Sequence, residues 1–312
     1  MKNNNSHMAQ LGIWPNCCNA CRFCLREERI PYSKEEQLLK LERAKENIKH
    51  LDWKDEFSYG ISLLGGELYY ITDKDLQDSF LELIDIIIEY ILKVSKNPSC
   101  KYSTVTNGLY DPTFLYKVVD KIIAAVGLEK VDISFSYDLK YRFKSKEDAN
   151  LVLKNINDFH KRYNYKVAVQ MILTQYVINL WKKKEFDVNT FIDEKIPGNI
   201  ISFLYPHPVH TGYKLNDFNF NRTDFLAFVS DLQITNPDIY NAFLHSVKNS
   251  ATFKYTMLQE PDSDPKLDKP HLTNGKEILN SKCNHSILYQ CYTDSDKCML
   301  CDLLQLDRST FI

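Results

Sequence analysis

The chain has 312 residues, enough for one large α/β domain with an appendage or for two ordinary domains. Hydrophobic residues make up 44% and charged residues 26%. This composition is typical of a folded soluble protein and excludes a disordered chain. The 39 basic residues nearly balance the 41 acidic ones, so the charge gives no sign of general nucleic-acid or membrane-surface binding.

The first eight residues, MKNNNSHM, are polar and lack the apolar stretch of a secretory signal, and SHM resembles a cloning scar. We therefore expect residues 1–8 to be a tag or disordered. The most apolar run, 81–94, contains Asp85, Glu89 and Lys93, and it is too short and too charged to cross a bilayer. These features favour a cytoplasmic protein, where thiols stay reduced and clustered cysteines bind metal more often than they form disulfides.

Predicted strands and helices alternate along the chain. Ser33 and Glu36 can form a capping box at the first helix. Asp111 and Pro112 open a later helix that closes on Gly127. The predicted strands are 10–15, 57–64, 101–106, 130–137, 165–173 and 199–206. The predicted helices are 33–51, 75–95, 111–127, 146–162, 188–195, 222–233 and 237–249.

Strands that are joined by helices predict a parallel sheet, because parallel neighbours need crossover connections. The sheet is either doubly wound and open or a partial barrel, and in both cases ligands bind at the carboxyl ends of the strands. Residues suited to chemistry follow four of the strands in turn: the cysteine loop, then Gly65-Gly66-Glu67, then Asn107-Gly108, then Ser136 with Asp138. That coincidence is stronger evidence than any single motif.

The cysteine loop is CCNACRFC at 17–24, in which Cys17, Cys21 and Cys24 keep the spacing C-x3-C-x2-C. Structural zinc takes four ligands, whereas a [4Fe–4S] cluster held by three cysteines keeps one iron free to bind something else. Cys18 is the extra cysteine. We interpret it as a buried or loop thiol, because its spacing to Cys21 is one residue too short.

This loop resembles that of the radical S-adenosylmethionine enzymes, including the aromatic Phe23 before its last cysteine. The resemblance extends over residues 8–210. LLGGE at 63–67 is similar to the family's Gly-Gly-Glu turn, TVTNG at 104–108 to its third-strand end, and ISFSYD at 133–138 to its fourth-strand serine. The resemblance implies a partial (β/α)6 TIM-like barrel over residues 9–255. The fifth strand lacks the family's Gly-x-Ile-x-Gly-x-x-Glu pattern, so no adenine-binding residue is assigned there.

The resemblance also implies a chemistry, in which reductive cleavage of S-adenosylmethionine at the cluster gives a 5′-deoxyadenosyl radical that takes a hydrogen atom from the substrate. A flavodoxin or ferredoxin would supply the electron. Gly65 and Gly66 would let the backbone approach the cofactor, since neither has a Cβ. The resemblance implies that Cys17, Cys21 and Cys24 bind the cluster. It implies that the Gly65–Glu67 turn contacts the methionyl ammonium and that Phe23 packs near the adenine. Asn107 and Ser136 would contact the ribose or carboxylate.

Residues 256–312 are predicted to be a linker followed by a cysteine-rich tail. The tail's cysteines make a complete ligand set for a second [4Fe–4S] cluster or for zinc. They are Cys283, Cys291, Cys298 and Cys301. In position the tail resembles the auxiliary-cluster extensions of the SPASM and twitch subfamilies, many of which modify peptides or proteins. The seven-cysteine SPASM set is absent, so a shorter twitch-like tail is the better comparison.

The sequence does not name the substrate. His207 and His210 follow the sixth strand and, with Asp138, are candidate catalytic groups that could donate or accept a proton. Three functions remain open: radical chemistry on a peptide or protein, the same chemistry on a small molecule such as a nucleotide or sugar, and a metal-binding interaction or electron-transfer protein that never cleaves S-adenosylmethionine. The Gly-Gly-Glu turn argues against the third, because a carrier needs no such turn.

Overall fold

The computed structural model describes residues 7–19, 21, 31–50, 59–93, 100–204, 220–252 and 256–257. Its strands are β1 (His7–Gly12), β2 (Tyr59–Leu64), β3 (Tyr102–Thr106), β4 (Val131–Tyr137), β5 (Ala168–Ile172), β6 (Ile200–Leu204) and β7 (Thr256–Met257). Its α-helices are α1 (Lys34–Lys49), α2 (Lys74–Lys93), α3 (Thr113–Val126), α4 (Lys146–Tyr163), α5 (Gln175–Lys182), α6 (Val188–Lys195), α7 (Arg222–Thr235) and α8 (Pro237–Thr252). None of these helices combines the length and apolarity needed to cross a bilayer.

The strands follow the order β6-β5-β4-β3-β2-β1-β7 in the sheet. β1 pairs in parallel with β2 and β7, β2 with β3, and β5 with β6. The first six strands are therefore neighbours in chain order, whereas a doubly wound sheet reverses its order at a switch point. The predicted α/β class and parallel sheet are confirmed, and the doubly wound alternative is wrong. Closure into a partial barrel stays a prediction.

The chain divides into two compact units, and among the described residues the divisions fall between Cys18 and Asn19, within β4 between Ser134 and Phe135, and between α8 and β7. Of the described elements, the first unit holds β1, β2, β3, the start of β4, β7 and helices α1 to α3. The second unit holds the end of β4, β5, β6 and helices α4 to α8.

Aromatic side chains form the core of the first unit. The ring of Phe80, on α2, lies 6.0 Å from Trp14, 6.0 Å from Tyr69 and 5.7 Å from Phe114, measured between centroids. Trp14 follows β1 and Tyr69 follows β2, and both side chains are buried. Edge and tilted ring contacts of this kind stabilise their partners beyond burial alone. The cluster therefore fixes the segments that leave these two strands.

The second unit packs its helices on one face of its strands. Phe135 of β4 lies 5.6 Å from Phe159 of α4, and Phe203 of β6 lies 5.6 Å from Phe228 of α7. Strand residues alternate between faces, so Gln170 and Ser202, which are register partners on β5 and β6, lie on the opposite face and are half-buried. One face of these strands is thus apolar and the other carries polar groups.

The capping box predicted at α1 is confirmed. Ser33 Oγ accepts a hydrogen bond from the Glu36 backbone nitrogen at 3.2 Å, and Glu36 Oε2 accepts one from the Ser33 backbone nitrogen at 2.7 Å. Gly127 ends α3 at a φ of 90°, as its position in the sequence predicts. Asp111 lies one residue farther out than predicted, and its Oδ1 accepts from the Thr113 nitrogen at 2.9 Å.

Three other elements differ from the prediction. β1 begins at His7 and ends at Gly12, so residues 13–15 lie beyond it; Pro15 has no N–H to continue a ladder. α5 replaces a predicted irregular stretch, because Thr174 caps it by accepting from the Val177 nitrogen at 3.3 Å. β7 adds two residues to the sheet in a region predicted to be linker.

Candidate functional site

Glu67 is the centre of a buried hydrogen-bond network in the first unit, with 2% of its surface exposed. Its Oε2 accepts from the Asn107 backbone nitrogen at 2.7 Å, and its Oε1 accepts from Thr106 Oγ1 at 2.9 Å and from the Tyr69 nitrogen at 3.3 Å. Burial raises the pKa of Glu67 to about 7, although the three donors act in the opposite direction. The carboxylate therefore ties the turn after β2 to the end of β3.

The side chain of Asn107 extends this network to the cysteine loop. Its Nδ2 donates to the sulfurs of Cys17 and Cys18, each at 3.5 Å, and its Oδ1 accepts from the Leu109 nitrogen at 2.8 Å. The cysteine loop, the Gly-Gly-Glu turn and the Thr-Asn-Gly strand end are thus in hydrogen-bond contact. The sequence predicts that all three follow parallel strands, but it does not reveal that Asn107 joins them.

The structure describes three cysteines of this loop, of which Cys17 is exposed, Cys18 half-buried and Cys21 buried. The Cys18 thiol donates to the Leu109 carbonyl at 3.5 Å and to Asn107 Oδ1 at 3.8 Å. Its hydrogen bond with Cys17, and then its burial, raise the pKa of Cys18 well above the ordinary value. The hydrogen bond from Asn107 acts on this pKa in the opposite direction.

Gly65 and Gly66 pack against the protein's own backbone. A Cβ on Gly66 would lie 1.9 Å from the Asn16 carbonyl oxygen, and the Gly66 nitrogen donates to the Trp14 carbonyl at 2.7 Å. A Cβ on Gly65 would lie 2.4 Å from Leu68 Cδ2. The sequence predicts that these glycines admit a ligand. The structure gives them another role, which is to dock the turn on the segment that leads into the cysteine loop. Their contact with a cofactor stays a prediction.

The candidates on β4 lie in the second unit. Ser136 is half-buried and alternates with Phe135 and Tyr137, so it lies on the face opposite the helices. Asp138 is buried, and its Oδ1 accepts from the backbone nitrogens of Lys140, at 2.8 Å, and Tyr141. Burial raises the pKa of Asp138 to about 6, against the effect of the Lys140 bond. These bonds show that Asp138 caps the turn after β4, and its catalytic role stays a prediction.

Several predicted residues lie outside the part of the chain that the structure describes. They are Phe23, Cys24, His207, His210, Cys283, Cys291, Cys298 and Cys301. Within the described residues, no three His, Cys, Asp or Glu side chains are grouped as a metal site. The described donors still fit an iron–sulfur cluster. Thiolates are the ligands that such clusters take, and the Asn107 amide donates to the Cys17 sulfur at 3.5 Å.

No protein-family model matches the chain, and no curated protein matches its sequence. Among solved structures, the chain is similar to one described as "Native anSMEcpe with bound AdoMet". The two are 18% identical with a TM-score of 0.41, over 73% of this chain and 67% of the other. A similarity at that level supports no functional argument.

Proposed function

We propose that the protein is a radical S-adenosylmethionine enzyme that acts on a peptide or protein. The observation that supports this is the contact of Cys17 with Asn107, whose backbone is held by Glu67. Through it, three motifs from separate parts of the sequence meet at the carboxyl ends of β1, β2 and β3.

Cys17, Cys21 and Cys24 would hold a [4Fe–4S] cluster, which in its bound and reduced form supplies the electron that cleaves S-adenosylmethionine to the 5′-deoxyadenosyl radical. The Glu67 carboxylate already accepts three hydrogen bonds. Its role is therefore to fix the Asn107 turn. The carbonyl groups of Gly65 and Gly66 would then be the acceptors for the methionyl ammonium, because the Glu67 carbonyl already accepts from Trp14 Nε1 at 3.4 Å.

The remaining roles concern the rest of the cofactor and the substrate. The half-buried Ser136 would offer its hydroxyl to the ribose or carboxylate, and Phe23 would pack near the adenine. Gln170 and Ser202 lie among apolar side chains on the half-buried face of β5 and β6, and their polar groups are suited to hydrogen bonding with a substrate. His207 and His210 stay candidates for proton transfer, and a flavodoxin or ferredoxin would supply the electron.

The cysteine-rich tail favours a peptide or protein substrate over a small molecule, because it resembles twitch-type extensions. A second cluster or a zinc ion would occupy that tail. Incubation of the loaded enzyme and S-adenosylmethionine with peptides or with nucleotides and sugars separates the two substrate classes, since only a true substrate accelerates cofactor consumption.

The experiment that tests the proposal is electron paramagnetic resonance of the anaerobically reconstituted, dithionite-reduced protein. We expect the signal of a reduced [4Fe–4S] cluster that changes when S-adenosylmethionine is added, because the cofactor binds the free iron. Cys21→Ala should lose the cofactor-dependent change, and Cys18→Ala should keep it. A cluster whose signal ignores the cofactor would favour an electron-transfer protein, and zinc in place of iron would favour a structural metal site.

A further inference from the structure

We infer that Asn16 is a positioning residue for the proposed cluster, because its side chain joins the two segments that flank the cysteine loop. The loop spans residues 17–31 in the sequence, with Asn16 directly before it and Tyr32 directly after it. We call the hydrogen-bonded pair of Asn16 and Tyr32 the clasp. The part of the inference that concerns the cluster rests on the proposed function, whereas the clasp itself needs no metal.

The clasp consists of two hydrogen bonds of opposite direction. Asn16 Nδ2 donates to the Tyr32 carbonyl oxygen at 2.9 Å, and Asn16 Oδ1 accepts from the Tyr32 backbone nitrogen at 2.8 Å. An amide side chain can make both bonds because it has a donor and an acceptor, whereas aspartate offers only acceptors and alanine offers neither. The clasp therefore depends on an asparagine at position 16.

Both partners of the clasp are themselves anchored in the first unit. The Asn16 carbonyl oxygen accepts from the Glu67 nitrogen at 2.7 Å, which ties Asn16 to the Gly-Gly-Glu turn. Tyr32 directly precedes Ser33, the capping residue of α1, and its carbonyl also accepts from Gln37 Nε2 of that helix at 2.9 Å. The clasp thus connects the Gly-Gly-Glu turn to the start of α1, at the two ends of the cysteine loop.

The clasp bears on how a cluster is retained. Bringing the two ends of a chain segment together costs conformational entropy, and a clasp that is present in the metal-free protein removes that cost from metal binding. Cys17, which the proposed function assigns to the cluster, directly follows Asn16, so the clasp also limits where this sulfur can lie. Loss of the clasp should therefore weaken retention of the cluster although every cysteine is still present.

The test compares Asn16→Ala, which removes both hydrogen bonds, with the matched control Gln37→Ala. The control removes a bond of the same 2.9 Å length to the same Tyr32 carbonyl, but it leaves the clasp intact. Asn16→Asp is a second variant, which keeps an acceptor for the Tyr32 nitrogen and sets an oxygen against the Tyr32 carbonyl. All three changes leave the cysteines and the backbone bond from Glu67 to Asn16 in place.

Hydrogen exchange of the metal-free, full-length protein reads the clasp directly, because the Tyr32 amide proton is donated to Asn16 Oδ1. We expect this amide to be protected in the wild type and in Gln37→Ala, by mass spectrometry at single-residue resolution. It should exchange about tenfold faster in Asn16→Ala, as expected for the loss of hydrogen bonds of ordinary net strength. Asn16→Asp should fall between them, because it loses one bond of the two. An unprotected Tyr32 amide in the wild type overturns the inference.

Iron release from the anaerobically reconstituted protein to a chelator reads the cluster. We expect Asn16→Ala to lose iron about tenfold faster than the wild type, and Gln37→Ala to match the wild type. Paramagnetic resonance of the iron-loaded protein adds a readout that a general loss of stability would not move. The S-adenosylmethionine concentration that gives half of the signal change should rise in Asn16→Ala alone, because Asn16 links the cysteine loop to the turn proposed to face the cofactor. If circular dichroism shows that Asn16→Ala is unfolded, Asn16→Asp carries the same comparison.

The outcomes separate this inference from the proposed function. Wild-type protein that holds no iron, or whose cluster does not respond to S-adenosylmethionine, overturns the proposed function and the cluster part of this inference, while hydrogen exchange still decides the clasp. A cofactor-responsive wild-type cluster, together with equal iron release from Asn16→Ala and Gln37→Ala, overturns only the inference.

Discussion

The backbone nitrogen of Asn107 donates to Glu67 Oε2 over 2.7 Å, and this buried bond joins the turn after β2 to the end of β3. A carboxylate with 2% exposure that accepts three hydrogen bonds inside the protein serves first to hold its donors. The glutamate of the Gly-Gly-Glu motif is thus directed into the fold. Its effects should appear in stability as well as in cofactor binding.

Glu67→Gln should flatten the pH dependence of stability. The pKa of Glu67 is about 7 in the folded protein, against an ordinary value of 4.5. Between those values the folded state binds more protons than the unfolded state, so the free energy of unfolding falls as the pH rises from about 4.5 to about 7. The shift corresponds to a loss on the order of 3 kcal/mol. Glutamine does not ionise, so the variant should lack this loss.

The measurement is urea unfolding of the metal-free protein at several pH values across that window. Glutamine can keep the Asn107 bond through its own oxygen and donate to Thr106 Oγ1, and it loses only the longer bond from the Tyr69 nitrogen at 3.3 Å, so the fold should survive the change. Glu185→Gln, at an exposed position, is the matched control and should leave the pH profile as it is in the wild type. Parallel profiles for Glu67→Gln and the wild type would show that Glu67 does not titrate in this range.

Three glycine-to-alanine variants should differ in a fixed order. Gly66→Ala places a Cβ 1.9 Å from backbone that cannot turn aside, and it should cost about 1–3 kcal/mol of stability. Gly65→Ala meets mainly the flexible Leu68 side chain and should cost less. Gly12→Ala meets nothing within 4 Å and should be close to neutral. Thermal unfolding of the three proteins ranks them. Equal stability of Gly66→Ala and Gly12→Ala would contradict the docking role of the turn.

The sequence predicts most of the regular elements because their signals are local. Ser33 and Glu36 form their capping box within four residues, and Gly127 ends α3 through its own backbone. α5 also has a local signal, since Thr174 is a capping residue and Val177, Ile178 and Trp181 lie at helical spacing. The sequence prediction misses α5 because this helix has only eight residues and follows β5 directly.

Other features depend on contacts that no local pattern encodes. β7 is two residues long and exists only by pairing with Ala9 and Gln10 of β1. The side chain of Asn107 donates to the sulfurs of Cys17 and Cys18, which lie 90 and 89 positions away in the sequence. From the sequence we expect Gly66 to face a ligand. The structure instead places the Asn16 carbonyl in the space beside its Cα, a contact that no local sequence pattern reveals.

The cysteine-rich tail should bind one metal centre. We expect a [4Fe–4S] cluster ahead of zinc, because the cluster chemistry proposed for the first loop already requires iron–sulfur assembly. Metal binding should also supply the tail's folding free energy, on the order of 10 kcal/mol for thiolate sites. The measurement is metal analysis of the Cys17/Cys21/Cys24→Ala variant after anaerobic reconstitution. About four irons per chain indicate an auxiliary cluster, and one zinc indicates a structural site. Absence of both metals would contradict the prediction.

We propose that this chain cleaves S-adenosylmethionine reductively. The most direct measurement is chromatographic and mass-spectrometric detection of 5′-deoxyadenosine and methionine after anaerobic incubation of the reduced, reconstituted protein with S-adenosylmethionine. We expect both products from the wild type and from Cys18→Ala, and neither from Cys17→Ala, Cys21→Ala or Cys24→Ala, because two thiolates cannot hold a cluster with one free iron. Full product formation by Cys21→Ala, or none by a wild-type protein that carries its cluster, would contradict it.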